Sequence, residues 1–234
     1  MKIFPNVIIG ITILCCVYLL SCKKEASVNA VKASTKITDI DGNIYHSVTI
    51  GTQVWMVENL KTTKYRNGDP ILSATDNAAW AGLTTGTGAY CWYDNSETTN
   101  KANYGALYNW YAVADPRNIA PSGWHVASYA EWTTLTSYLG GESVAGGNLK
   151  EAGFIHWVTP NIGATDSSGF TALPGGYRNY SGLFYLVGTY GNWWSSTAYN
   201  ASTAWTQELD NVTANVLHYC GFKEIAFSVR CIRD

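Results

Sequence analysis

Hydrophobic and polar residues alternate in short runs over the early part of the chain that is rich in β-branched side chains. Residues 36–40 and 44–50 form two such runs, and Asp41-Gly42 between them is a strong hairpin-turn signal. Residues 53–57 predict a third strand. Within the second run, alternation predicts one face made of Ile44, Val48 and Ile50 and another made of Tyr45, Ser47 and Thr49.

The predicted hairpin turn contains three oxygen-bearing side chains with calcium-loop spacing. Asp39, Asp41 and Asn43 resemble the start of such a loop, but Ile50 stands where its closing Glu would be. The pattern therefore favours a hairpin turn over a calcium loop.

Two segments have the apolar period of an amphipathic helix. The first covers residues 104–114 and ends before Pro116. The second starts at Ser128, which forms a capping-box pattern with Glu131, and a Gly-Gly pair closes it. The predicted apolar faces consist of Leu107, Trp110, Tyr111 and Ala114 in the first helix, and of Trp132, Leu135 and Leu139 in the second.

The last third of the chain is rich in turn residues and ends on an alternating pattern. In residues 225–231, Ile225, Phe227, Val229 and Cys231 are predicted to point to one side of a strand. A strand so clearly patterned is expected to lie in the main sheet. Two helices in a loop-rich, mostly antiparallel chain predict an α+β fold.

The N-terminal residues have a different pattern. After the basic start Met1-Lys2, the apolar run at 7–20 has the length of a signal-peptide core and is short for a membrane-spanning helix. It ends in LLSC at Cys22, which resembles the lipobox of bacterial lipoproteins; an uncleaved anchor is the alternative. The predicted organisation is a signal peptide at 1–21, a lipid on Cys22 that anchors the chain to a membrane, a flexible tether at 22–35 and a folded domain at 36–234.

Composition narrows the classes of partner. The chain is 47% hydrophobic, which is enough for a core, and its Lys and Arg (15) nearly balance its Asp and Glu (17). Because no basic stripe is present, nucleic acid is not an expected partner. The unusual feature is the aromatic content, with 10 Trp and 16 Tyr. Such side chains offer flat apolar faces with polar tips, which favours binding surfaces.

Candidate metal ligands are sparse. Asp94, Asn95 and Glu97 place three oxygen donors within four positions and could hold calcium, although a solvated turn explains them equally well. The histidines are scattered, with no metal-like spacing. No Gly-x-Ser-x-Gly element marks a serine hydrolase. Calcium is thus the only cofactor that the pattern offers.

Eight sequence blocks, in order, are spread over residues 36–234. They are DIDGNIY (39–45), IGTQVWMVENL (50–60), YGALYNW (104–110), GWHV (123–126), AEW (130–132), LPGGYR (173–178), WWSST (193–197) and FSVRC (227–231). Together these blocks resemble the Fibrobacter succinogenes major paralogous domain family. The resemblance implies an exported protein or lipoprotein of Bacteroidetes or their relatives, and a fold similar to C-type lectins and formylglycine-generating enzymes. It brings no settled activity.

One block departs from the family pattern. The family commonly has Cys before the Pro-x-Gly-Trp-His-Val run, where this chain has Ala120, and a second Pro where it has Ala127. If the family Cys bridges to the terminal one, Cys231 has lost its partner here. A replacement Cys220–Cys231 disulfide is one alternative, since export permits disulfides. Cys91 then stays unpaired.

Two classes of function follow from the sequence. The first is a non-catalytic binding or interaction module of the cell envelope, anchored to a membrane that is expected to be the outer one, with a glycan or an envelope protein as partner. The second is an enzyme on a formylglycine-generating-enzyme-like scaffold that uses Cys220 and Cys231 or scattered acids; a purely structural envelope protein is a third reading. The sequence does not determine on which face of that membrane the domain lies. The candidate ligand-binding residues are Trp92, Tyr93, Tyr177, Arg178, Trp193 and Trp194.

Overall fold

The computed structural model describes Met1 and residues 36–234. The predicted signal peptide, the lipidation site Cys22 and the tether lie outside the described residues. The strands are β1 (Ile37–Thr38), β2 (Ile44–Tyr45), β3 (Ser47–Ile50), β4 (Gln53–Met56), β5 (Leu72–Ser73), β6 (Ala89–Cys91), β7 (Leu107–Asn109), β8 (Trp124–Val126), β9 (Tyr177–Arg178), β10 (Phe184–Tyr185), β11 (Tyr190–Ala198), β12 (Thr203–Asp210), β13 (Leu217–Phe222), β14 (Ala226–Phe227) and β15 (Cys231–Arg233).

Five short helices accompany these strands in the described part of the chain. The longest is α4, whose capping box between Ser128 and Glu131 is present as predicted. No helix within residues 36–234 is long and apolar enough to cross a membrane. The helices are α1 (Asn77–Ala81), α2 (Glu97–Tyr104), α3 (Trp110–Val113), α4 (Tyr129–Tyr138) and α5 (Glu142–Leu149).

The strands form mixed sheets that are mostly antiparallel. A six-stranded sheet has the order β10-β9-β14-β7-β6-β5, a four-stranded sheet β3-β4-β15-β8 and a three-stranded sheet β11-β12-β13. The β5–β6 pair is parallel, and β1 and β2 form a separate antiparallel hairpin. The loop-rich α+β architecture predicted from the sequence is therefore confirmed.

The first predicted hairpin is present, but its faces are inverted. Tyr45 is fully buried and Ile44 is exposed, because the strand is interrupted at His46 and the alternation restarts in β3. The Asp39 carboxylate accepts from the backbone N–H groups of Asp41 and Asn43 and from the Tyr45 hydroxyl at 2.6 Å. This carboxylate therefore organises the turn, as the hairpin interpretation expects.

Two of the predicted elements are wrong in their extent. The predicted helix at 104–114 is interrupted, because residues 107–109 pair as β7. Tyr104 ends α2, and Trp110–Val113 forms α3, which the Asn109 side chain caps through the Ala112 N–H. The predicted strand at 225–231 is divided between β14 and β15, which lie in different sheets. Still, β15 lies between β4 and β8, in the interior of its sheet as expected.

The core is built largely from aromatic rings. One cluster packs Trp55, Trp132, Phe170 and Trp193 together, with the rings of Trp55 and Trp132 4.7 Å apart. A second cluster contains Trp194 and Phe227, also 4.7 Å apart. These rings lie on both faces of the β11–β12–β13 sheet, and their packing fixes the position of that sheet in the domain.

Candidate ligand-binding groove

Most of the predicted aromatic platform lies in the core, which corrects the expectation that these rings stack on a ligand. Trp193 and Trp194 are 1% and 0% exposed, and Trp92 and Tyr93 are also buried. The Trp193 indole N–H donates to Asn59 Oδ1, and the Trp194 indole N–H donates to the Tyr108 carbonyl. A ring with both its faces and its polar tip engaged has no surface to offer a sugar. Of the predicted aromatics, only Tyr177 keeps partial exposure.

Arg178 is likewise part of the interior. Its guanidinium lies between the rings of Trp80 and Phe184, 4.7 Å from each centroid. It donates to the backbone carbonyls of Gly182 and Ala74. A buried cation with stacked faces and occupied donors is a structural element of the fold, which corrects its predicted role in ligand binding.

The predicted calcium ligands turn to different partners. The Asn95 amide donates to the Thr75 carbonyl, and Glu97 forms an ion pair of 2.8 Å with Lys101 along α2. Among residues 36–234, no group of three or more His, Cys, Asp or Glu side chains could hold a metal ion.

The cysteines do not form the disulfide offered as an alternative. Cys91, Cys220 and Cys231 are all free thiols. Cys220 lies on β13 opposite Trp205, whereas Cys231 lies on β15 opposite Val126, in another sheet. Burial raises the pKa of Cys231 to about 12, so its thiol is protonated at neutral pH and is a poor nucleophile. A paired-thiol active site is therefore not assembled.

A groove of about 570 Å³ lies against the three-stranded sheet and includes one of the predicted residues, Tyr177. We call it the tyrosine groove. This volume falls in the range of small-molecule sites. Its lining residues are Tyr177, Leu186, Tyr190, Glu208, Leu217, His218, Tyr219, Ile225 and Phe227.

The register of the three-stranded sheet explains why these side chains converge. Asn192 on β11 lies opposite Glu208 on β12, which lies opposite Leu217 on β13. Residues directly opposite in antiparallel strands project from the same face. Tyr190 and Tyr219 occupy alternate positions of the same strands, so their side chains share that face.

One buried polar group beside the tyrosine groove lacks a hydrogen-bond partner. The Tyr219 hydroxyl donates to Asn192 Oδ1 at 2.9 Å. Asn192 is 1% exposed, and its Nδ2 has no hydrogen-bond partner among the described residues. Burial raises the pKa of Glu208, and the repulsion of Asp210 adds to the rise, while the nearby Tyr219 hydroxyl opposes it. Such an arrangement is typical of a site that a ligand completes.

Two smaller cavities have less binding chemistry. One of about 200 Å³ lies by Asp39 and Arg66, whose polar groups are occupied by the fold: Asp39 holds the hairpin turn, and Arg66 donates to the Ala120 and Trp124 carbonyls. The other, about 430 Å³, lies by Tyr180 and Glu224. In the second cavity the Glu224 carboxylate already accepts from the Tyr111 hydroxyl at 2.9 Å. That cavity also has fewer rings than the tyrosine groove, which is therefore the better candidate.

Sequence reasoning missed Glu208, Tyr190 and Tyr219. The available signal was the alternation of residues 203–210, in which Ala204, Thr206 and Glu208 share a face. A carboxylate in that series, opposite an Asn in the preceding strand, would have stood out only once the pairing of the strands was known.

The fold and the groove together define a class of protein, a loop-rich α+β domain with an aromatic-lined groove. Within that class, a family model described as Fibrobacter succinogenes major domain matches residues 48–233. The chain belongs to this family, as its sequence blocks predict. No curated protein and no solved structure matches it.

Proposed function

We propose that the chain is a non-catalytic binding module of the cell envelope that takes a glycan into the tyrosine groove. The observation that carries this proposal is the convergence of Tyr177, Tyr190, Tyr219 and the Glu208 carboxylate on one groove, with the buried Asn192 amide on the same face of the sheet. Tyrosine rings stack on the apolar faces of sugars, and carboxylate and amide groups bond to hydroxyls.

Two finer expectations belong to this proposal. A C-type-lectin-like or formylglycine-generating-enzyme-like arrangement agrees with the loop-rich mixed sheets, and a lipid on Cys22 would hold the domain at the membrane. We propose the outer membrane as the location.

The experiment is a glycan array probed with the purified full-length chain in mild detergent, with and without EDTA. Specific binding that Tyr190→Ala removes and Tyr180→Ala leaves intact would support the proposal, because Tyr180 is exposed outside the tyrosine groove. Unchanged binding in EDTA is expected, since the groove residues present one carboxylate. If no glycan binds, the proposal is wrong, and a protein partner or a structural envelope role takes its place.

A further inference from the structure

We propose that the glycan recognised in the tyrosine groove is an amino sugar with a free, protonated amine, which pairs with the Glu208 carboxylate. This inference rests on the proposed function and names the chemistry of its ligand. Three features support this ligand: the charge of Glu208, the aromatic rings around it and the Asn192 amide beside it.

Glu208 is a half-buried carboxylate without a cation. Some acids of the described region have basic partners; Asp41, for example, pairs with Lys64 at 3.2 Å and Glu97 with Lys101 at 2.8 Å. No Lys, Arg or His among residues 36–234 forms an ion pair with Glu208. A carboxylate withdrawn from water in this way is unfavourable unless something compensates it. A ligand cation supplies that compensation.

The aromatic rings near Glu208 also favour a positively charged ligand. Tyr177 lies close enough to Glu208, Tyr185 and Tyr190 for each to raise its pKa, after the larger effect of burial. Tyr177 and Tyr185 stack with centroids 5.5 Å apart. The face of an aromatic ring is negative and attracts ammonium groups, so rings and carboxylate together form a site for a cation.

The unpartnered Asn192 amide adds a second requirement. Asn192 and Glu208 are cross-strand neighbours on one face, so the free Nδ2 donor lies on the same side of the sheet as the carboxylate. An unsatisfied buried donor destabilises the structure by about 1–3 kcal/mol. A hydroxyl or ring oxygen near the ligand amine would accept from it. Amino sugars have an amine and oxygen acceptors on the same ring.

A sugar also fits the apolar part of the groove. Leu186 and Leu217 are exposed at its rim, and Phe227 is buried at its base. A simple ammonium ion would leave this apolar surface in water, whereas a pyranose ring covers it with its C–H face. The combination therefore favours an amino sugar over an isolated cation.

The test compares three β-1,4-linked oligosaccharides of equal length, made of glucosamine, N-acetylglucosamine or glucose. Their binding to the full-length chain in detergent is measured by calorimetry at a pH at which the free amine is protonated. We expect the glucosamine oligomer to bind about tenfold tighter than the other two, as one charge-assisted hydrogen bond would give.

Glu208→Gln is the deciding variant, because it keeps the shape and removes the charge. It should abolish the tenfold preference for the glucosamine oligomer over the N-acetylated one. Glu97→Gln, at an exposed position on α2 where the carboxylate pairs with Lys101, makes the same charge change outside the groove lining and should retain the preference. Thermal melts of both variants check that they are folded.

The outcomes separate the two proposals. Equal binding of all three oligomers would overturn the amine assignment and leave glycan binding standing. A preference that survives Glu208→Gln would also overturn it. Binding of none of these sugars, together with a negative glycan array, would remove both proposals. Binding of a lysine-containing peptide that depends on Glu208, without any sugar binding, would overturn the amino-sugar assignment.

Discussion

The buried cations of this domain and the half-buried anion of its groove differ in how their hydrogen-bonding capacity is filled. Lys150 Nζ donates to the carbonyls of Ile162, Asp210 and Thr213 at 2.9, 2.8 and 2.7 Å. The guanidinium of Arg230 is held by Asn59 Oδ1 and by backbone carbonyls. Glu208, like these cations, forms no ion pair in the described region. In place of a set of backbone partners, however, it has the Tyr219 hydroxyl beside it.

This difference separates charges that build the structure from a charge that is available to a ligand. A buried charge whose hydrogen-bonding capacity is filled by backbone groups is locked in place, and it connects segments distant in sequence. A charge that faces a groove without such partners keeps its capacity for something else. The type of residue alone does not distinguish the two cases, as Arg178 shows.

The largest expected effect comes from removing the best-satisfied cation. Arg230→Met removes a donor from the Met56 and Phe170 carbonyls, and leaves Asn59 Oδ1 with the Trp193 indole N–H. We expect the free energy of unfolding to fall by about 4 kcal/mol, because several buried acceptors lose a charged donor at once. Urea unfolding measures it. Arg233→Met, an exposed Arg at the end of β15, is the control and should change stability by about 0.5 kcal/mol or less. Equal effects would break the comparison.

A smaller loss of stability is expected where the positive charge is kept but the shape of the side chain is changed. Arg178→Lys retains the cation between Trp80 and Phe184 but loses the planar fork that reaches the Gly182 and Ala74 carbonyls. We expect a loss of about 2 kcal/mol in unfolding free energy. Sugar affinity of the folded variant should stay unchanged; a loss of affinity at full folding would return Arg178 to the ligand site.

For the groove carboxylate Glu208 we expect the opposite effect, because removing its charge should stabilise the fold. Because burial raises the pKa of Glu208, the folded state holds its proton more tightly than the unfolded state. Its ionisation therefore destabilises the fold above the raised pKa and has no effect below the ordinary pKa of Glu. Glu208→Gln should raise the melting temperature by about 2 °C near pH 7, the shift expected for roughly 1 kcal/mol in a domain of this size. The gain should vanish near pH 4. A lower melting temperature would show that Glu208 is satisfied after all.

The sequence predicted local features of this fold well where one short segment determines them. The Ser128–Glu131 capping box and the turn at Asp41-Gly42 depend on neighbouring residues, and both are present. The helix predicted at 104–114 failed because the same apolar residues also satisfy a strand, and pairing of β7 with β6 and β14 decides between them. Tertiary pairing of this kind leaves no mark on local periodicity.

The candidate site was much harder to predict. Trp193-Trp194 and Arg178 are chemically suited to a ligand, but packing against Asn59, Tyr108 and Trp80 uses them internally. The groove residues come from β9, β11, β12, β13, β14 and the segments that follow β10 and precede β14, and only the folded arrangement of two sheets brings them together. Burial and register are properties of the folded chain, so residue type alone pointed to the wrong tryptophans.

The smallest expected effect concerns a third kind of charge, shared between partners at the surface. Burial lowers the pKa of His125, but hydrogen bonds to Asp234 (2.7 Å) and Glu131 (2.8 Å) outweigh it, so the pKa is raised. The stabilisation is thus fully present below the unfolded pKa of about 6.5 and is lost as the pH rises through the raised folded value. His125→Gln should lower the melting temperature by about 2 °C near pH 5.5 and hardly at all near pH 8.5, since such exposed pairs contribute under about 1 kcal/mol. Asp234→Asn, which leaves the Glu131 contact, should show a smaller difference between the two pH values. A pH-independent effect of His125→Gln would mean that the ring contributes by packing, and that only Glu208 and the buried cations are linked to stability through charge.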